Sequence, residues 1–416
     1  MIYVKSKDGK VIMPSERRGR IGYLLRHGKA HLVSRVPFVV QLDYDSTTYT
    51  QEVSLGIDAG SKHIGVSASS EKKELFAAQV ELRSDIVKLL STRRELRRNR
   101  RNRKTRYRKA RFNNRKKKDG WIAPSVEQKV KSHLKVIRLV RDLLPIAKTT
   151  IEVAQFDAQK IKNPDINGED YQQGEQMGFW NVREYVLTRD GHRCVHCKGK
   201  SKDPILNVHH LESRKTGGNS PSNLVTLCET CHKAYHRGEF ALKIKRGSSL
   251  RDAAVMNIMR LAVYDRAKLE FGNVHLTYGY VTKHTRIENG IAKTHAADAF
   301  CIAKNVHARR SRTFFKCRCV PRHTRSLHVC NPKRGGVRRS CIASHKIGKS
   351  RFQRYDMVRW KGRECFISGS TGGRPVLRNI EGYKMHENIS VNIKTIKFLK
   401  RLRNNILVEE KGLPKV

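Results

Sequence analysis

Acidic side chains are scarce in this chain of 416 residues: 37 Asp and Glu stand against 87 Lys and Arg, a formal net charge of +50. A globular protein tolerates such self-repulsion badly unless a polyanion neutralises it, so the expected partner is nucleic acid. Ribosomal proteins share this balance, and charge alone does not separate an enzyme from a packaging protein. Long apolar runs are missing too. None approaches the roughly 18 to 20 residues of a membrane span, so no membrane partner is expected. Met1 to Lys10 lacks the charged-then-apolar layout of a secretion signal. There is no internal repeat and no long low-complexity segment, and the hydrophobic share of 38% suffices for a core in part of the chain only. The length suits two or three domains. Of the ten cysteines, four stand in paired CxxC units, which reads as metal binding in a reducing cytosol rather than as a disulfide framework.

The pattern along the chain starts with a small α/β unit: Val11-Ile12-Met13-Pro14, a basic helix-compatible stretch from Arg17 to Lys29, and a strand from Val36 to Leu42. Val53 to Ala59 alternates apolar residues into Asp58 and a glycine turn, Ile64 to Ser67 resumes the strand pattern, and Leu75 to Leu82 reads as a third strand. Sixteen of the 26 positions from 93 to 118 are Lys or Arg, only Glu95 is acidic, and no Gly or Pro interrupts them. Arg and Lys are good helix formers, but a helix this charged cannot fold onto a core and needs phosphates on several faces. The candidates for phosphate contact are Arg93, Arg94, Arg97, Arg98, Arg100, Arg101, Arg103, Lys104, Arg106, Arg108 and Arg111. A disordered basic segment is the alternative. Apolar residues at helical spacing from Val130 to Leu144 predict a helix that Pro145 ends, followed by a strand over Thr149 to Phe156. Residues 160–176 read as a polar linker, 250–270 as helix, 274–282 as extended and 293–308 as helix. The basic C-terminal hundred carries short strand-like runs at Met357 to Trp360, Cys365 to Ser368 and Ile389 to Val391.

The strongest local signal is the pair of knuckles Cys194-x-x-Cys197 and Cys228-x-x-Cys231, whose four thiolates suit one tetrahedral structural zinc. Between them His209-His210 ends a short β-like run, Asn223 follows, and Cys231-His232-Lys233-Ala234-Tyr235-His236 closes the unit. His232 and His236 lie four apart and share one helix face. With His209 they can hold a divalent ion, while His210, on the other side of its strand, is free to act as general base. Asn223 is expected to hold that imidazole in its working orientation. A zinc ribbon that only binds nucleic acid is the alternative for the whole set. These features resemble the HNH, or ββα-metal, nucleases, and the resemblance implies His209, His232 and His236 as ligands of one Mg2+. CRISPR effectors of that group use different ligand residues, which leaves the base assignment better founded than the ligand assignment.

A second centre is assembled from distant acids. Asp58 ends an apolar strand, Glu152 lies inside Ile151-Glu152-Val153-Ala154, and Asp298 follows His295 at helical spacing. Acids inside apolar runs are costly unless compensated, and divalent ions compensate them. A turn residue, an edge-strand charge and an arginine partner are the separate alternatives for the three. Their order resembles the RuvC-like nucleases of the RNase H superfamily. That likeness implies two Mg2+ held by Asp58, Glu152 and Asp298, with His295 assisting the attacking water or ligating metal.

The complete layout resembles the IscB family, transposon-associated RNA-guided endonucleases related to the type II CRISPR effectors. Supporting matches are Val11-Ile12-Met13-Pro14, which departs from the family's PLMP motif in its first two residues, Gln155-Phe156-Asp157, Asn163-Pro164, Tyr171-Gln172-Gln173-Gly174, Val182-Arg183-Glu184-Tyr185 and Lys361 to Ile367. The resemblance implies an α/β multidomain protein with an RNase H-like (RuvC) core split in three, an inserted arginine-rich bridge helix, an inserted zinc-braced HNH domain and a basic, β-rich C-terminal domain. The implied segments are a PLMP domain at 1–51, RuvC I at 52–92, the bridge at 93–120, RuvC II at 121–160, a linker at 161–189, the HNH domain at 190–245, RuvC III at 246–310 and a domain at 311–416 that reads the flanking motif. A structured omega RNA then pairs with one DNA strand, the HNH centre cuts that strand and the RuvC centre cuts the displaced one. The expected setting is the prokaryotic cytoplasm, with one protein per RNA on a double-stranded DNA target. Cys317, Cys319, Cys330 and Cys341, with His323 and His328, have irregular spacing and read as ordinary reduced residues rather than a second zinc site. A protein-guided homing or structure-specific nuclease and a non-cleaving RNA-binding protein are the competing classes.

Overall fold

The computed structural model describes residues 1–101, 120–153, 181–213, 220–242, 244, 251–321, 347, 350–402 and 405–412. Two compact units emerge, one from Met1–Ala154 with Ile258–Val416 and the other from Gln155–Asn257.

The first unit opens with β1 (Ile2–Lys5), β2 (Val11–Ser15), α1 (Arg18–Arg26), β3 (Ala30–Ser34) and β4 (Val39–Leu42), a sheet of order β2-β1-β4-β3. Ile21 and Leu24 of α1 close over Val4, Val40 and Leu42. The buried Tyr3 hydroxyl donates to the Leu75 carbonyl at 3.1 Å, which ties this small sheet to the larger one.

Next come β5 (Val53–Ala59), β6 (His63–Ser69), β7 (Glu74–Glu81), α2 (Ile86–Arg101), α3 (Pro124–Arg141) and β8 (Ile146–Val153). Alternation fails in β5 because nearly every side chain in it is buried, the mark of a central strand covered on both faces. One stripe of α3, including Val130, Leu134, Ile137 and Val140, is buried, and the helix stops at Arg141, ahead of the expected Pro145. Of the basic stretch, α2 carries Arg93, Arg94, Arg97 and Arg98 as exposed side chains. Arg100 and Arg101 end that helix, whereas Arg103, Lys104, Arg106, Arg108 and Arg111 lie outside the described residues. So do Gln155 to Asp157, Asn163-Pro164 and Tyr171 to Gly174.

The second unit holds α4 (Val182–Arg189), β9 (Leu206–His210), β10 (Leu224–Cys228) and α5 (Glu229–His236), with β9 and β10 antiparallel. The stretch expected to be linker thus ends in a helix. Asn181 caps it by accepting from the Glu184 amide at 3.0 Å, and Val186 and Leu187 are buried. Arg189 donates to the Pro221 and Leu224 carbonyls, and Asp190 accepts from the Thr226 amide at 2.8 Å, so α4 is locked onto β10.

The chain then returns through α6 (Arg251–Phe271), β11 (Val274–Tyr278), α7 (Gly279–Glu288), α8 (His295–Ile302) and β12 (Thr313–Cys319). The extended run expected over 274–282 is cut short at Tyr278, because from Gly279 onward the chain turns into a helix, with the Thr282 hydroxyl donating back to the Tyr278 carbonyl at 3.5 Å and Arg286 pairing with Asp298 of α8. The helix expected over 293–308 is confined to α8, whose Thr294 cap accepts from Ala297 and whose run ends before Lys304 at a φ of +67°.

Strands β13 (Met357–Trp360), β14 (Arg363–Thr371), β15 (Arg374–Arg378) and β16 (Ile396–Lys400) form a sheet of their own, of order β15-β14-β13-β16, and β17 (Ile406–Gly412) follows. Ile389–Val391 is not a strand; it contributes a single bond from the Val391 amide to the Pro375 carbonyl, 2.9 Å. The core sheet runs β11-β8-β5-β6-β7-β12-β17. Both ends of the C-terminal segment therefore belong to the core: β12 lies parallel to β7 and antiparallel to β17. Cys317 and Cys319 are buried thiols on β12, and Cys330, Cys341, His323 and His328 lie outside the described residues.

Candidate metal centres

In the first unit, β5 and β8 run parallel and bring Asp58 and Glu152 to the same end of the sheet. Helix α8 crosses β5 and β6 at unusually close range, which glycines permit. A Cβ on Gly56 would lie 2.0 Å from the Ala299 carbonyl oxygen, and one on Gly65 would lie 1.8 Å from that of His295. Gly65 stands directly opposite Asp58 in the β5–β6 ladder. The first turn of α8 is thereby seated over Asp58, and His295 Nδ1 donates to Asp58 Oδ2 at 2.7 Å. Asp298, one turn on, completes the acid set.

Electrostatics mark the three acids as one group. Burial, then the nearby Asp58 carboxylate, pushes the Glu152 carboxyl above the usual range. Asp298 is raised by the same two causes in the same order. The hydrogen bond to Asp58 holds the His295 imidazole charged to higher pH than usual, against the pull of burial. Three participants carried no earlier expectation. Arg260 of α6 is buried, with Nη2 3.3 Å from Glu152 Oε1 and 4.0 Å from Asp58 Oδ1. Arg286 of α7 places Nε 3.1 Å from Asp298 Oδ1. His63 stacks on His295 with ring centroids 5.3 Å apart, and burial followed by that neighbour lowers its pKa. Arg260 had a legible signal: it shares the stripe of α6 that carries the buried Val263 and Ala267, and a cation in a core stripe demands an anion. Converging carboxylates of this kind fit divalent cations with oxygen ligands.

In the second unit, the sulfurs of Cys194, Cys197, Cys228 and Cys231 lie within 4.8 Å of one another. Cys197 Sγ is 3.8 Å from Cys228 Sγ, and zinc at about 2.3 Å from each thiolate in a tetrahedron requires an edge of about 3.8 Å. Burial opposes ionisation of Cys197, but Ser201 and backbone hydrogen bonds outweigh it and bring the thiol down to about 6. Leu227 packs with the cysteines, and Asp203 fixes the approach by accepting from the Thr230 amide and hydroxyl at 2.8 and 2.7 Å. The residues fit a structural zinc.

The ring nitrogens of His209, His232 and His236 also lie within 4.8 Å of one another. His232 Nε2 and His236 Nε2 are 3.3 Å apart, close to the edge of about 3.4 Å that metal–nitrogen bonds of about 2.1 Å give. His209 Nε2 is buried with no hydrogen-bond partner among the described residues. Burial, then His232 and His236, pushes its pKa down to about 4, which keeps the imidazole neutral and able to donate a lone pair. These residues too fit a metal ion. His210 follows on β9, opposite Leu224, and alternation turns it to the other face from the buried His209. The buried Asn223 clamps the backbone just past His210: its side chain accepts from the Glu212 amide at 2.9 Å and donates to the Glu212 carbonyl at 3.0 Å.

Comparison with known proteins places a class on this second unit. Residues 194–238 match the family model described as HNH endonuclease, so the chain carries an HNH endonuclease domain. Residues 2–174 match the model described as RRXRR protein, and the pattern in that description stands at Arg97-Arg98-Asn99-Arg100-Arg101. A stretch of 67 residues is 35% identical to anaredoxin of a Nostoc species, covering 16% of this chain and 84% of that protein, and over that stretch the chain belongs to anaredoxin's family. Among solved structures, a Streptococcus thermophilus Cas9 bound to the AGAA PAM aligns with a TM-score of 0.31 and 15% identity, over 45% of this chain and 26% of that one. The Type II-C Cas9 of Actinomyces naeslundii aligns with a TM-score of 0.24 and 11% identity, over 61% and 60%. The chain thus spans about a quarter of the length of the first. Among the described residues no helix is long and apolar enough to cross a membrane.

Proposed function

We propose that this chain is an RNA-guided DNA endonuclease of the IscB type, with an HNH centre that cuts the guide-paired strand and a split RuvC-like centre that cuts the displaced strand. The observation that carries the reading is the convergence of Asp58, Glu152, His295 and Asp298 from three distant segments, with the matched HNH domain lying between the second and third. The charge of +50 and the exposed arginines of α2 support a guide RNA held along the protein rather than a protein-read site.

A divalent ion bound at either centre neutralises phosphate charge and lowers the pKa of a bound water. The rest falls to the protein. His209, His232 and His236 supply nitrogens from one face, and His210, turned away from them, accepts the proton of the attacking water. Asn223 keeps His210 in place by pinning the backbone that follows it. Asp58, Glu152 and Asp298 supply carboxylate oxygens at the other centre, and His295 is oriented by its bond to Asp58. Two Mg2+ at the acid cluster, one at the histidines and one zinc at the cysteines complete the proposed cofactors, with a single structured omega RNA and a double-stranded DNA target as partners.

The test begins with the RNA that copurifies from cells expressing the native locus. A single structured RNA with one variable end is expected, and heterogeneous RNA released by moderate salt refutes guidance. With that RNA loaded, Asp58→Ala and His210→Ala are each expected to leave a nickase, of opposite strands. If either variant cut both strands at the unaltered rate, its centre would be wrongly assigned.

A further inference from the structure

The acid cluster carries its own neutralising cations. Arg260 bridges two of the three acids, Nη2 lying 3.3 Å from Glu152 Oε1 and 4.0 Å from Asp58 Oδ1. Its Nε donates to the Ala59 carbonyl at 2.7 Å, which anchors the guanidinium to the strand end that bears Asp58. His295 takes the other oxygen of Asp58, and Arg286 takes Asp298. Arg260 is 7% exposed, and a guanidinium cannot shed its proton in a protein. A permanent charge is therefore fixed between two carboxylates that would otherwise repel each other.

We propose that Arg260 is a resident counter-ion of this cluster: it holds Asp58 and Glu152 together in the metal-free protein and competes with divalent cations for those same two carboxylates. The proposal rests on the reading of the cluster as a divalent-metal centre. Its physical basis is that a dication ligated by both acids at about 2.1 Å sits within roughly 5 Å of the guanidinium. At an effective dielectric of about 20, that repulsion far exceeds thermal energy. Loading then requires the side chain to swing off Glu152, so the affinity of the centre is set by Arg260 as well as by its acids.

The test is Mn2+ binding by the full-length, zinc-loaded chain, read from the EPR signal of free Mn2+ in a His232→Ala background that removes the three-histidine cluster. Arg260→Gln is expected to bind Mn2+ at least tenfold more tightly than its parent, and Arg260→Lys, which keeps the charge, to stay within about threefold. In Mn2+-free buffer Arg260→Gln is expected to melt below the parent, with Mn2+ restoring most of the difference. Should Arg260→Gln fail to fold without metal, folding on Mn2+ titration supports the proposal and failure at every concentration overturns it. Unchanged or weaker Mn2+ binding by Arg260→Gln overturns it as well. Asp58→Asn separates the two layers. If it leaves Mn2+ binding intact, the metal-centre reading falls and the proposal with it. If it abolishes binding while Arg260→Gln changes nothing, the counter-ion role alone is lost.

Discussion

Replacing Gly65 by alanine tests how the acid cluster is built. The added Cβ would lie 1.8 Å from the His295 carbonyl oxygen, 2.4 Å from its carbon and 3.1 Å from its Cα, all backbone atoms that no rotamer change can move aside. Helix α8 must retreat from β6 by roughly 1.5 Å to restore ordinary contact. That shift takes His295 Nδ1 out of hydrogen-bond range of Asp58 Oδ2, now 2.7 Å away, and carries Asp298 off with it. Overpacking of this kind costs about 1–3 kcal/mol of stability, whereas misplacing catalytic groups by about 1 Å costs about 100-fold in rate. The protein should therefore remain folded, with a melting temperature lower by several degrees, while one reaction fails selectively. Strand-resolved cleavage of a guide-matched plasmid is the assay. If the acid cluster cuts the displaced strand, as proposed, that cutting is expected to fall about 100-fold, with paired-strand cutting within about twofold of the parent. Displaced-strand cutting at the parental rate, in a variant whose melting temperature has dropped, would refute the claim that the glycine-mediated approach of α8 sets the geometry.

Other expectations follow from the same geometry. If the four-cysteine cluster holds zinc, Cys228→Ser should abolish zinc binding, measured by metal analysis of the purified protein, and should lower its melting temperature. Retained zinc would place it elsewhere. Burial depresses the His133 imidazole to about 4, against about 6.5 in an unfolded chain. The unfolded state binds that proton first, so stability present above about pH 6.5 is lost as pH falls toward about 4, by about 2 kcal/mol at pH 5. Urea melts of His133→Leu at pH 7 and 5 should lack that increment, and an undiminished pH dependence would exclude His133 as its source. Changing the exposed Arg93, Arg94, Arg97 and Arg98 together to glutamine should flatten the salt dependence of RNA binding, lowering the log–log slope by up to about 3 in filter-binding titrations. An unchanged slope would mean that α2 touches no phosphate.

Periodicity and spacing are local, and the groups they bring together within a few residues were legible in the amino-acid order alone. The CxxC pairs announced a four-thiolate cluster, and the four-residue step from His232 to His236 announced a shared helix face, because a helix or knuckle is fixed by its own few residues. Asp58 and Glu152 were conspicuous as acids in apolar strands, and His295 and Asp298 as a helical pair. Ladder partners and buried pairings are not local. That β12 and β17 complete the core sheet, rather than belonging wholly to a separate C-terminal domain, depends on a ladder that pairs Thr313 with Gly412 and Cys319 with Ile406, which no short pattern encodes. The helix at Gly279 replaced the end of an expected extended run, and its Arg286 finds Asp298 on another element. Gly56 and Gly65 read as plain strand glycines until α8 is laid across them, and although Arg260 stands in a core stripe, only the fold decides that its anions are Asp58 and Glu152. The amino-acid order named the chemical groups; tertiary structure decided which of them meet, because the free energy of a buried charge depends on neighbours that only folding supplies.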